Sequence, residues 1–216
     1  YIGEEYTLAL AAESLLSAMG NGANGAVLVA NLSTSRMIDD VAAHHGAEVV
    51  RTPVGEANVA ERMKQLRAEG RNVVLGGEGN GGVIWPEITH VRDSLAAMGL
   101  VLALMTRTGI HISSLVEIIN GYSRGGNSYA IVKRKAPLAR KEDAAPALES
   151  LTARYQAERV DRQDGVRIDF TGVRAGAWVH VRPSNTEPIL RLICEAPDTR
   201  TAEAILDEIA GVVGAA

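Results

Sequence analysis

Arg182-Pro183-Ser184-Asn185-Thr186 puts a guanidinium, two hydroxyls and a side-chain amide in one short segment, with Glu187 and Pro188 directly behind it. A phosphate presents several anionic oxygens, and holding one requires donors that converge. Arg182 supplies a bidentate fork, Ser184, Asn185 and Thr186 supply side-chain donors, and a tight loop aims successive backbone N–H groups inward. Pro183 and Pro188 stiffen the loop, so less ordering entropy is lost on binding. The same residues also suit an ordinary polar turn, because Ser, Asn and Pro are common turn formers.

A second unusual segment is Gly76-Gly77-Glu78-Gly79-Asn80-Gly81-Gly82. Gly77, Gly79 and Gly82 fit the spacing G-x-G-x-x-G, but a dinucleotide site needs a helix next. Ile84-Trp85-Pro86 follows, which reads as extended backbone, and no Gly-Lys-Ser/Thr is present to make a nucleotide P-loop. The remaining reading is a flexible loop that presents Glu78 and Asn80. A carboxylate accepting from two neighbouring hydroxyls suits a sugar; an ordinary mobile connection is the plain alternative.

Other clusters are weaker. His44-His45 and Asp39-Asp40 are adjacent on a predicted helix and do not share a face, so neither pair chelates one ion easily. Ser33-Thr34-Ser35-Arg36 at a helix start fits capping better than an anion site. Spacing alone picks out no nucleophile–base pair and no metal cluster. Cys194, the single cysteine, lies in an apolar run and reads as a buried, inert thiol, which excludes an internal disulfide and fits a reducing cytoplasm.

The elements that must position these segments follow from periodicity. Helices are expected over residues 4–19, 36–45, 56–69, 94–108 and 113–120, alternating in the first half with strands at 26–30, 48–51 and 72–75. Alternation of this kind argues for a mostly parallel sheet covered by helices, and Val27-Leu28-Val29 and Val73-Val74-Leu75 are apolar on both faces as interior strands should be. Gly121, Gly125, Gly126 and Asn127 mark a hinge or boundary. Beyond it the pattern gives a strand at 128–135, a helix at 144–160, strands at 166–170, 178–181 and 189–195, and a helix at 201–213. The expectation is a three-layer α/β domain at 1–124, then a smaller α+β domain with an antiparallel sheet at 125–216.

Composition bounds the function. The 216 residues are 46% hydrophobic and 22% charged, with a net charge of −4. That balance argues against a nucleic-acid surface, which needs a basic face. The apolar segment 95–105 is too short and too near Arg107 to span a bilayer, so no membrane partner is expected. Tyr1-Ile2-Gly3-Glu4-Glu5 runs almost directly into a helix, and the chain reads as a piece of a longer protein or a processed form.

Taken together, Arg182-Pro183-Ser184-Asn185-Thr186-Glu187-Pro188 with Arg191, and Gly77-Glu78-Gly79-Asn80-Gly81-Gly82, resemble two signatures of the α-D-phosphohexomutases. These are the phosphomannomutases, phosphoglucomutases and phosphoglucosamine mutases. The first segment is similar to the phosphate-binding signature of their last domain and the second to their sugar-binding loop, usually G-E-x-S-G-H. The resemblance covers essentially the whole chain as the family's third and fourth domains. It implies that Glu78 and Asn80 bind sugar hydroxyls and that Arg182, Ser184, Asn185 and Thr186 bind the non-reacting phosphate of a phosphorylated hexose.

The resemblance further implies interconversion of hexose 6-phosphate and hexose 1-phosphate through a bisphosphate. A phosphoserine in the first domain and Mg2+ in the second carry that chemistry, and neither motif is in this sequence. The expected partners are therefore the N-terminal domains of the same protein, and the segment alone is expected to be inactive. Asn80 stands where the family has Ser, and Gly82 where it has His. Three or four charged contacts at about 1.5–3 kcal/mol each, set against an association cost of at least about 4 kcal/mol, leave near-millimolar affinity for this part alone. A stand-alone phosphosugar-binding module without catalysis is the alternative.

Overall fold

The computed structural model describes residues 2–123, 128–184 and 186–214. The chain divides into two compact units, Tyr1–Asn127 and Ser128–Ala216.

In the first unit the strands β1 (Val27–Asn31), β2 (Glu48–Thr52) and β3 (Val73–Glu78) run parallel, and β4 (Gly82–Ile84) returns antiparallel to β3. Their order across the sheet is β2-β1-β3-β4. Every residue of β1 is buried, as expected for an interior strand covered on both faces. On one face α3 (Glu56–Ala68) sets Val59, Met63 and Leu66 against Val27, Val29 and Val73. On the other lies α1 (Glu5–Met19), which packs on β3, β4, α2 (Met37–His44), α4 (Ser94–Thr108) and α5 (Ile112–Gly121). The side chain of Asp93 caps α4 by accepting from the N–H groups of Leu95 and Ala96 at 2.9 and 3.0 Å. The three-layer arrangement is the one the alternating pattern predicts.

The second unit is a five-stranded sheet, antiparallel throughout, in the order β5-β9-β8-β7-β6. The strands are β5 (Ala130–Pro137), β6 (Arg159–Asp161), β7 (Val166–Asp169), β8 (Trp178–Pro183) and β9 (Ile189–Ala196). Helices α6 (Ala144–Arg154) and α7 (Thr199–Gly214) share one core with it, where Leu151, Ile205 and Ile209 meet Val179, Val181 and Leu192. The antiparallel α+β expectation holds.

Beyond shifts of a residue or two at element ends, three differences from the sequence reading stand out. The helix expected to run to residue 160 ends at Arg154, and Val160 instead pairs with Ile168 as part of an extra edge strand. Pairing with β7 lets Val160 pack against the core, and this tertiary gain overrides local helical periodicity. The glycine-rich segment is not a free loop: Gly76, Gly77 and Glu78 are strand residues paired with Ile84, Val83 and Gly82. Likewise Arg182 and Pro183 belong to β8 rather than to the loop after it. Most of the expected hinge at 121–127 lies outside the described residues.

Candidate functional site

In an open α/β sheet the crevice for ligands forms at the carboxyl ends of the strands where the strand order reverses. Here β2 and β3 lie on opposite sides of β1, so that point falls between β1 and β3. Asn31 ends β1 and Glu78 ends β3, so both side chains sit beside it. Glu78 is buried, and its Oε1 accepts from Asn31 Nδ2 at 2.6 Å and from the N–H of Gly55 at 3.0 Å. Gly55 is the N-cap of α3, so the carboxylate also faces the positive end of a helix. Among the described residues Oε2 takes no hydrogen bond. One oxygen therefore anchors the side chain and the other is left for a hydroxyl donor.

The supporting residues are tied to each other. Asn31 Oδ1 accepts from the N–H of Ser33 at 2.8 Å and from Thr34 Oγ1 at 3.0 Å, while Thr34 Oγ1 accepts from the N–H of Gly79 at 3.1 Å. The β1 end and the β3–β4 hairpin are thus one hydrogen-bonded assembly. Asn80 is exposed at the tip, and its Oδ1 accepts from the N–H of Gly82 at 3.2 Å, leaving the amide N–H groups as donors. Gly77 permits this hairpin: a Cβ there would lie 2.2 Å from the Gly82 carbonyl oxygen. At Gly82 the space a Cβ would take is already filled by Arg92, whose Cδ would be 2.3 Å away. Arg92 is held by Glu56 through Nε at 2.7 Å and the backbone N–H at 3.0 Å, and these bonds hold the Glu56 carboxyl below its ordinary pKa.

In the second unit Val181 points into the helix-covered core, so Arg182, next along the pleat, emerges on the opposite face. Arg182 Nη1 lies 3.6 Å from Asp164 Oδ2, and its position faces Arg191 across the ladder. Ser184 is buried; its N–H donates to the Ile189 carbonyl at 3.0 Å and its Oγ accepts from the N–H of Glu187 at 3.4 Å. Among the described residues the Ser184 hydroxyl donates to no acceptor. Thr186 is exposed, and Asn185 lies outside the described residues. The Pro188 carbonyl accepts from the N–H of Leu138 at 2.9 Å, which ties the far side of the loop to the end of β5.

The secondary clusters resolve as structural features. Ser35 Oγ accepts from the N–H of Met37 at 3.0 Å, a local turn contact where α2 begins. His44 stacks on Tyr122 with ring centroids 4.0 Å apart, while His45 Nε2 meets Glu13 at 2.9 Å. Asp39 pairs with Arg51 and Asp40 with Arg36. Among the described residues no group of three or more His, Cys, Asp or Glu is placed to hold a metal ion. Cys194 is fully buried, and burial pushes its thiol up to about 12. No single helix among them is long and apolar enough to cross a membrane.

Asn31, Gly55, Arg92 and Asp164 are not singled out by the sequence reading, and Thr34 enters it only within the helix-start cluster weighed as a cap or an anion site. Asn31 and Thr34 lie where a parallel strand ends, which is a readable signal once the strand order is known. Arg92 and Asp164 carry no local signal, because their relevance comes from contacts across the fold.

Both units match profiles of the same family. The profile described as phosphoglucomutase/phosphomannomutase, alpha/beta/alpha domain III, matches residues 4–122, and the one described as phosphoglucomutase/phosphomannomutase, C-terminal domain, matches residues 130–212. The chain belongs to the phosphoglucomutase/phosphomannomutase family. It is 31% identical over 214 residues to a phosphoglucomutase/phosphomannomutase of Thermococcus kodakarensis, covering 96% of this chain and 41% of the relative. It is also 31% identical over 215 residues to a protein of Methanopyrus kandleri named "Probable phosphoglucosamine mutase", covering 99% of this chain and 43% of the relative. The chain therefore spans well under half the length of the relatives it matches. A solved phosphoglucomutase/phosphomannomutase family protein from Burkholderia thailandensis shares the fold with a TM-score of 0.71 at 21% identity, over 99% of this chain and 42% of that one. The N-acetylphosphoglucosamine mutase of Aspergillus fumigatus, solved with GlcNAc-6P and magnesium, does so with a TM-score of 0.61 at 15% identity, over 98% of this chain and 43% of that one.

Proposed function

We propose that this chain is the substrate-holding part of a phosphohexomutase that interconverts hexose 6-phosphate and hexose 1-phosphate through a bisphosphate. Glu78 and Asn80 accept from and donate to the sugar hydroxyls. Arg182, Ser184, Asn185 and Thr186 hold the phosphate that is not being transferred. The observation that carries this reading is the Glu78 carboxylate: it is anchored by one oxygen at the switch point of the sheet, with the other oxygen unengaged among the described residues. A pre-aimed acceptor of this kind gains affinity because its ordering cost is met on folding.

The group-transfer step belongs to the part of the protein outside these residues. Relatives more than twice as long are consistent with that division. No step is routed here through a metal ion. What this chain contributes is grip and orientation, so that a bound phosphosugar presents one end while the other is held.

In the complete protein, Arg182→Ala should raise the KM for the hexose phosphate at least tenfold, the equivalent of about 1.4 kcal/mol of lost binding. Steady-state kinetics on glucose and mannose 1-phosphates measures it. An unchanged KM would overturn the phosphate assignment.

A further inference from the structure

The β6–β7 turn lies against β8 at the position of Arg182. Gly165, at the end of that turn, has φ +70°, and a Cβ on it would sit 2.3 Å from the Val181 carbonyl oxygen and 2.8 Å from the Arg182 Cα. Only glycine admits so close an approach. A hairpin turn does not need it, since β6 and β7 are already paired from Asp161 and Arg167 outward.

The approach brings Asp164 to Arg182. Asp164 Oδ2 is 3.6 Å from Arg182 Nη1, and the two side chains are only 21% and 20% exposed. The turn is braced from two sides. His180 shares the face of Arg182, is fully buried, and its Nε2 lies 2.5 Å from the Asp164 carbonyl oxygen. A carbonyl only accepts, so Nε2 carries the proton and the ring is fixed in one tautomer. On the other side Asp161 accepts from the backbone N–H and the side-chain amide of Gln163, both at 2.8 Å.

We propose that Asp164 is a positioning residue for Arg182, and that His180 and Gly165 exist at these places to hold the turn that carries it. The proposal rests on Arg182 being a phosphate-binding group. Arg182 stands opposite Arg191 on the neighbouring strand, and like charges in register repel. Without a counter-charge the guanidinium swings away and loses its aim. Asp164 is placed at one terminal nitrogen, and among the described residues no contact spans the fork in a bidentate grip, so the rest of it can meet an incoming anion. The separation is also long for an ion pair, which suits a partner that steers without competing strongly for the donor.

The test is a double-mutant cycle in the complete protein. Dissociation constants for glucose 6-phosphate and for inorganic phosphate are measured by calorimetry, with thermal melts alongside. Asp164→Ala should weaken binding about tenfold and Asp164→Asn by less, and neither should weaken it further once Arg182 is Ala. Asp164→Asn keeps the shape and an acceptor oxygen, so it serves if the alanine variant melts early. The inference is overturned if Asp164→Ala and Asp164→Asn both bind like the parent, or cost as much without Arg182 as with it, since the turn would then be structural only. A parent that binds neither ligand, or an Arg182→Ala variant that binds both undiminished, overturns the phosphate reading itself, which is a separate result.

Discussion

Glu78 has two jobs that different substitutions separate. Its Oε1 closes the polar assembly of Asn31 and Gly55, and its Oε2 is the proposed sugar acceptor. Removing the side chain leaves a buried amide and a backbone N–H without their acceptor, so Glu78→Ala should cost about 1–3 kcal/mol of stability as well as binding. Glu78→Gln can keep its oxygen toward Asn31 and Gly55 while replacing the other acceptor with an NH2. That variant should melt within a few degrees of the parent yet bind hexose phosphates at least several-fold more weakly. Calorimetry and a thermal melt on the same samples check both parts; a glutamine variant that binds normally would remove Glu78 from the sugar site. Arg92 belongs at this scale too. Its stem fills the place a side chain at position 82 would occupy, which is a contact that local spacing does not foretell.

Among the elements, β8 concentrates opposed demands. Val179 and Val181 fill the helix-covered core, while Trp178, His180 and Arg182 alternate with them on the other face. That face is polar and still buried: Trp178 Nε1 donates to Glu195 at 2.9 Å, and the Arg167 guanidinium lies 4.2 Å from the Trp178 ring centre. Burial lowers the His180 pKa below its ordinary 6.5. The unfolded chain therefore takes up a proton before the folded one does. The stability that neutral His180 contributes is complete above the ordinary histidine value and is lost as the pH falls from there through the folded-state pKa. Melts between about pH 7 and pH 5 should show the parent losing stability more steeply than His180→Gln, by no more than about 1.4 kcal/mol per pH unit for one proton. Parallel slopes in the two proteins would contradict this.

For the molecule as a whole, each unit has a core of its own. In the second unit the sheet and two helices enclose a continuous apolar cluster that includes Leu151, Val181, Cys194 and Ile209. Residues 128–216 expressed alone should therefore fold and melt cooperatively, as a domain with its own core can. Circular dichroism and a single sharp thermal transition check this, and a broad, non-cooperative melt would mean that the second unit depends on the first. Cys194 reports on the same event. Fully buried and with its thiol raised to about 12, it should resist a thiol reagent in the native state and react once the unit is unfolded.

The alternating βα pattern, the apolar interior strands and the antiparallel second half were all legible in the chain, because periods of 3.6 and 2 are properties of consecutive residues. The donor types that the two polar segments offer could be read there too, because side-chain chemistry and proline stiffening are local. What only the tertiary structure decided was where elements stop and what flanks the candidate groups. Glu78 becomes a strand end rather than a loop residue because β4 pairs with it, and Val160 leaves its helix because β7 offers a ladder. Asn31, Arg92 and Asp164 reach Glu78, Gly82 and Arg182 through contacts between residues far apart in sequence or on different strands. Pairing and packing of that kind depend on the whole chain at once, and no window of neighbouring residues contains them.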